Sequence, residues 1–161
     1  DLEESLDDEL ETFADLEEFY EKYILPSPDL SVDIETAAKQ ITCIGFAPTA
    51  DKALVIPFTD NRTDLNNYWK TREEEIRVLD FVRRMCSLPD KAVCGQNFIY
   101  DMRFLWELYG IPCPNAAHDT MLLHHALQIE MKKSLGFLGS VYTDESSWKF
   151  MRTKSTLKKE D

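Results

Sequence analysis

Leu30-Ser31-Val32-Asp33-Ile34-Glu35-Thr36 is the stretch on which the reading of this chain turns. It reads as a buried strand that breaks its apolar rule at Asp33 and Glu35. Residues two apart in a strand point to one face, so both carboxylates project together while Val32 and Ile34 point into an apolar layer. Two neighbouring anions are costly to desolvate unless something positive joins them. A divalent cation, which takes hard carboxylate oxygens, is the economical candidate. The competing reading is a strand end whose acids point into water.

Working outward, the composition bounds the alternatives. At 161 residues and 43% hydrophobic, the chain can bury one sizeable core. Cys43, Cys86, Cys94 and Cys113 show no C-x-x-C spacing, which fits reduced thiols in an intracellular protein. No apolar run is long enough to cross a bilayer, and no signal-peptide pattern is visible, so no membrane partner is expected. The chain starts in mid-pattern at an acidic residue, as an excised piece would. A formal net charge of −12 argues against a surface that coats phosphates generally. A nucleic-acid substrate would have to approach locally, helped by metal ions or a neighbouring domain.

Residues 1–25 read as an acidic amphipathic lead helix, with Leu2, Leu6, Leu10, Phe13, Leu16, Phe19, Tyr20 and Tyr23 at helical spacing. It serves either as a connector to a preceding domain or as a helix lying on its own domain. Residues 26–161 read as the main domain. Strands are predicted over Ile41–Ala47 and Ala53–Phe58, giving an antiparallel three-strand meander with the Asp-x-Glu strand first. A polar loop covers 59–70. Thr71 and Glu74 then form a capping box for a helix whose apolar face is Ile76, Leu79, Phe81, Val82 and Met85. Ala92-Val93-Cys94 is a short strand parallel to the first, because a helix connects them. Helices follow from about Phe98 to Tyr109, Asp119 to Ile129 and Ser134 to Val141. The pattern is α/β, a mixed sheet with flanking helices.

A second cluster of functional residue types is Gln96-Asn97-Phe98-Ile99-Tyr100-Asp101, at a strand-to-helix junction. Asn97 and Asp101 are four apart and share a helical face. Taken alone, Asn97 could cap the helix and Asp101 could be a first-turn acid favoured by the helix dipole. Together with Asp33-Ile34-Glu35-Thr36, the segment resembles the DEDD family of 3′–5′ exonucleases. The likeness is to the proofreading domain of polymerase I-type (family A) DNA polymerases, including phage versions. Asp119-Thr120-Met121-Leu122 and Lys133–Leu138 extend it over roughly residues 29–150.

The resemblance implies a ribonuclease H-like fold in which Asp33, Glu35 and Asp101 hold two divalent ions, Mg2+ or Mn2+. It also implies two-metal hydrolysis of the terminal phosphodiester at a single-stranded or frayed DNA 3′ end, proofreading for a linked polymerase domain. Thr36, Gln96, Asn97 and Tyr100 match substrate-contacting positions, and Asp119 reads as structural, capping the following helix. Rival readings are an RNase D-type RNA exonuclease and an inactive module that only binds DNA or serves as a scaffold. The family's third motif, Tyr-x-x-x-Asp or His-x-x-x-x-Asp, does not occur in the 161 residues. It is expected to follow Asp161, and without it activity should be weak or absent. Adjacent His124 and His125 point about 100° apart on a helix, a poor start for zinc. Trp106 reads as core. Trp148 beside Lys149–Lys159 could stack on a base while the basic run tracks a strand.

Overall fold

The computed structural model describes residues 13–63 and 65–144. They belong to two compact units divided between Thr120 and Met121. Leu2, Leu6, Leu10, Trp148 and the basic run Lys149–Lys159 lie outside the described residues.

The first unit is built on a five-stranded mixed sheet in the order β3-β2-β1-β4-β5. Strands β1 (Asp29–Ala37), β2 (Gln40–Thr49) and β3 (Lys52–Pro57) form the antiparallel meander. β4 (Ala92–Gly95) runs parallel to β1, and β5 (Ala116–Asp119) runs parallel to β4. The Asp-x-Glu strand is therefore the central one. Val32 faces Phe46 and Ile34 faces Ile44, which in turn faces Ile56, so one sheet face carries a continuous buried row. Ser31, Asp33 and Glu35 are exposed together on the other face, as the spacing predicts. Period-two alternation against a single apolar layer accounts for both observations.

Ala38 (φ 49°) and Lys39 (φ 66°) make the two-residue turn between β1 and β2 in left-handed backbone. That turn type favours Asn-Gly, so both residues are strained there. Lys39→Gly is expected to stabilise the protein by up to about 1 kcal/mol, read as a rise in the urea midpoint with an unchanged slope.

Residues 13–19 form helix α1, which runs into a π-helical turn, Tyr20–Ile24. Leu16 and Ile24 join the core. The Arg77 guanidinium lies 3.9 Å from the Phe13 ring centre, and Arg84 both bonds Glu17 at 2.6 Å and lies over Tyr20. The link into β1 is fixed by Lys91, a buried lysine whose ammonium donates to the Leu25 and Ser27 carbonyls. Those acceptors offset the desolvation of its charge.

Helix α2 (Arg72–Cys86) starts with the expected capping box between Thr71 and Glu74. Its buried side is Val78, Phe81, Val82 and Met85, whereas Ile76 is half exposed. Val78 and Val82, four apart, define the stripe, and Ile76 lies off it. Helix α3 (Ile99–Tyr109) ends at Gly110, whose φ of 60° allows its N–H to reach the Leu105 and Trp106 carbonyls. The buried residues of α3 are Asp101 and Leu105, which turns Trp106 outward, 62% exposed. The expectation of a core tryptophan is therefore corrected. Sequence reading missed β5, because Ala116-Ala117-His118-Asp119 has no strand propensity and forms through pairing with β4. All four cysteines are free, and the Cys86 thiol is pushed well up by the neighbouring Cys113 thiol and by burial.

In the second unit, α4 (Thr120–Leu127) and α5 (Leu135–Tyr142) are joined by His124 Nδ1 and the Tyr142 hydroxyl at 2.8 Å. No described helix is long and apolar enough to cross a membrane.

Candidate functional site

The site grows from the point where β1 outruns its parallel partner. β1 and β4 pair only as far as Ser31 and Cys94, so the backbone of β1 beyond Ser31 has no strand on that side. The Ile34 N–H, midway between Asp33 and Glu35, donates instead to Asp101 Oδ1 at 2.9 Å. The first turn of α3 thereby seats a buried carboxylate, 4% exposed, at the edge of the Asp-x-Glu strand.

Electrostatics follow from that seat. Burial pushes the Asp101 carboxyl up to about 6, with the charges of Asp33 and Asp119 adding to the rise and the Ile34 N–H opposing it. The Asp33 carboxyl is also raised, first by desolvation and then by the charge of Glu35. Cys43, which faces Glu35 across the strands, has its thiol raised by burial and by the same acids. Carboxyls that raise one another mark a site short of positive charge. Among the described residues, neither Asp33 nor Asp101 makes an ion pair.

At the end of β1 the register slips between Glu35 and Thr36, leaving Thr42 as the extra residue of a bulge. Its hydroxyl donates to the Glu35 carbonyl at 3.0 Å. Bulges re-aim side chains, and here the Thr36 hydroxyl meets the Tyr100 hydroxyl at 2.7 Å. Tyr100 is 43% exposed and packs against Phe104.

Gln96 and Asn97 occupy the turn between β4 and α3. The Gln96 side chain bonds the Thr120 hydroxyl. Asn97 is exposed and left-handed (φ 54°), and its carbonyl accepts from the Tyr100 N–H at 2.9 Å. It is not the N-cap, and it does not lie on the helix with Asp101. Phe98 is the N-cap, without a side-chain cap. Asp119 has a structural role, as the sequence suggests. Its two oxygens accept the N–H groups of Asn97 (3.0 Å) and Phe98 (2.8 Å), so it holds the turn before α3. Buried Phe98 folds back over Gly95, where an added Cβ would come within 2.4 Å of the ring. Gly95→Ala should cost about 1–3 kcal/mol through overpacking, measurable as a lower midpoint in chemical denaturation.

The structure thus brings together Asp33, Asp101, Thr36 and Tyr100 from β1 and α3, and places Glu35 beside Asp33 on the same face. Gln96 and Asn97 stand in the adjoining turn. Sequence reasoning missed the roles of Gly95 and Thr120. The one available signal was the Asp119–Leu122 run, whose partner lies more than twenty residues earlier.

Asp33, Glu35 and Asp101 offer hard oxygen donors, and a divalent cation would relieve the repulsion that raises Asp33 and Asp101. By donor chemistry they fit magnesium or manganese. Among the described residues, however, no three His, Cys, Asp or Glu side chains stand close enough together to hold one ion.

No protein-family model and no curated protein matches the chain. Solved structures do match. NrnC of Brucella melitensis bound to pGG superposes with a TM-score of 0.55 at 15% identity, over 79% of this chain and 57% of that one. NrnC solved separately gives 0.53 at 14% identity, over 79% and 57%. A structure described as the apo form of the nuclease gives 0.56 at 12% identity, over 80% and 59%. The chain thus spans less than three fifths of each of these chains. At such identities the likeness concerns the fold, which is ribonuclease H-like: a mixed five-stranded sheet with flanking helices.

Proposed function

We propose that this chain is a nuclease module, a metal-dependent 3′–5′ exonuclease that hydrolyses the terminal phosphodiester of a single-stranded nucleic-acid end. One observation carries the reading: Asp101 is seated against β1 between Asp33 and Glu35. A buried acid from a separate helix is brought to the edge of the strand that carries the other two, which a water-facing strand end would not require. The similar solved chains, two of them NrnC and one described as a nuclease, support it.

Asp33, Glu35 and Asp101 would hold the divalent ions. Such ions lower the pKa of a water and stabilise the departing 3′ oxygen. The protein's own residues would do the rest. Tyr100, exposed and tethered to Thr36, offers a ring and a hydroxyl to the terminal nucleotide. Asn97, on the exposed turn, offers an amide for its base or sugar. With a net charge of −12, grip on the phosphates should depend strongly on the bound cations.

DNA as substrate, and proofreading for a linked polymerase, rest on the motif resemblance alone. RNA is the second reading, because a structure of similar fold was solved bound to pGG. A third is a module that holds nucleic acid without cutting it, since the described acids do not close a three-ligand cage. The test is a 5′-labelled oligonucleotide, as DNA and as RNA, incubated with the chain and with a form extended past Asp161, in Mg2+, Mn2+ or EDTA. A ladder that shortens from the 3′ end and vanishes in EDTA is the expected result. Metal-independent cleavage would sink the proposal. Divalent-ion binding with no ladder from either form would favour the non-cutting module.

A further inference from the structure

We propose that Asp119 is a positioning residue of this site: its carboxylate fixes the Asn97–Phe98 turn so that α3 delivers Asp101 to the edge of β1. For catalysis this rests on the nuclease reading, but its structural part stands by itself. α3 has no side-chain N-cap of its own, since Phe98 holds the cap position. The N–H groups at its start are instead taken by a carboxylate from another strand, at 3.0 and 2.8 Å. β5 makes this possible by pairing Asp119 level with Gly95, so that its side chain meets the turn that leaves β4. Thr120 adds a second hold on the same turn, donating to the Gly95 carbonyl at 3.3 Å and bonding Gln96.

The turn needs such a hold. Asn97 is left-handed at φ 54°, an unfavourable conformation for a residue with a Cβ. Two charge-assisted hydrogen bonds at the positive end of a helix offset that strain. From there the register of α3 is set, with Phe98 accepting from Met102 at 3.0 Å and Asp101 reaching the Ile34 N–H at 2.9 Å. Asp119 touches the turn, while the effect is felt at Ile34, on a different strand.

Amide exchange on the 161-residue chain separates positioning from simple bracing. In Asp119→Ala, the Ile34 amide should lose protection about tenfold or more, while Cys43 and Gly45, within the β1–β2 ladder, keep theirs. Asp119→Asn, which retains one acceptor oxygen, should fall between and serves as the variant if alanine does not fold. An Ile34 amide that exchanges as in wild type overturns the proposal, as does an equal loss across the whole sheet. In a form that produces the ladder, Asp119→Ala should lower kcat about 10–100-fold with KM little changed, the usual cost of losing an outer support. An unchanged kcat there would overturn the catalytic part. If wild type makes no ladder at all, the nuclease reading fails, and the exchange result still decides the role of Asp119.

Discussion

Asp33→Ala is expected to abolish the shortening ladder, a loss of about 10³-fold or more, and to weaken Mn2+ binding by about 100-fold or more. Asp33 is the member of the set with the fewest structural duties. Its side chain is on the open sheet face, and its neighbours are other acids rather than cations. Truncation should therefore leave the fold intact, and relieving repulsion should keep Tm at or above the wild-type value. Charge stabilisation by a bound ion is worth several kcal/mol, and each 1.36 kcal/mol is a factor of ten. Calorimetric titration with Mn2+ and the labelled-oligonucleotide assay read the two effects separately. A variant that binds Mn2+ as tightly as wild type, or yields the same ladder, would remove Asp33 from the site.

Asp101→Asn should do something less common for a buried polar position, namely raise stability while destroying function. The Asp101 carboxyl is pushed up to about 6, chiefly by burial, from an ordinary value of roughly 3.9. The folded state therefore holds the proton more tightly than the unfolded chain between about pH 4 and 6. Unfolding free energy must then fall as pH rises through that window, and the full penalty is present above about pH 6. The shift corresponds to about 3 kcal/mol at most, and the exposed acids alongside imply that solvent screening reduces it to about 2. The asparagine oxygen can still accept the Ile34 N–H without carrying a charge. At pH 8 and without divalent ions, Asp101→Asn should melt several degrees above wild type, and its stability should be flatter between pH 4 and 6. Adding Mg2+ should reverse the ranking, because an ion bound only to the folded state contributes about 2.7 kcal/mol at a hundred times its Kd. Differential scanning calorimetry across pH, with and without Mg2+, checks both signs. A lower apo Tm for Asp101→Asn at pH 8 would show that the ionised carboxylate is not a burden on the fold.

The meander, the parallel β4, the capping box at Thr71 and the outlines of α2 and α3 could all be read from period and punctuation. Those signals are local, and the structure agrees with them. Ile76 and Trp106 went astray because a helix face is chosen by what it packs against. Ile76 lies off the Val78–Val82 stripe and Trp106 sits one position past buried Leu105, so both reach the surface. β5 was invisible for a related reason, since its only support is a neighbouring strand.

The same division holds at the site. By itself, the sequence determined that Asp33 and Glu35 share a face, because side-chain alternation in a strand leaves no other outcome. It also placed Asp101 early in a helix that follows a strand. Only the tertiary structure decided that β4 stops pairing at Cys94, leaving the Ile34 N–H for Asp101 to accept, and that Asp119 turns back to hold Asn97 and Phe98. Those are contacts between residues twenty to nearly seventy positions apart, where no local pattern reports the length at which a strand loses its partner.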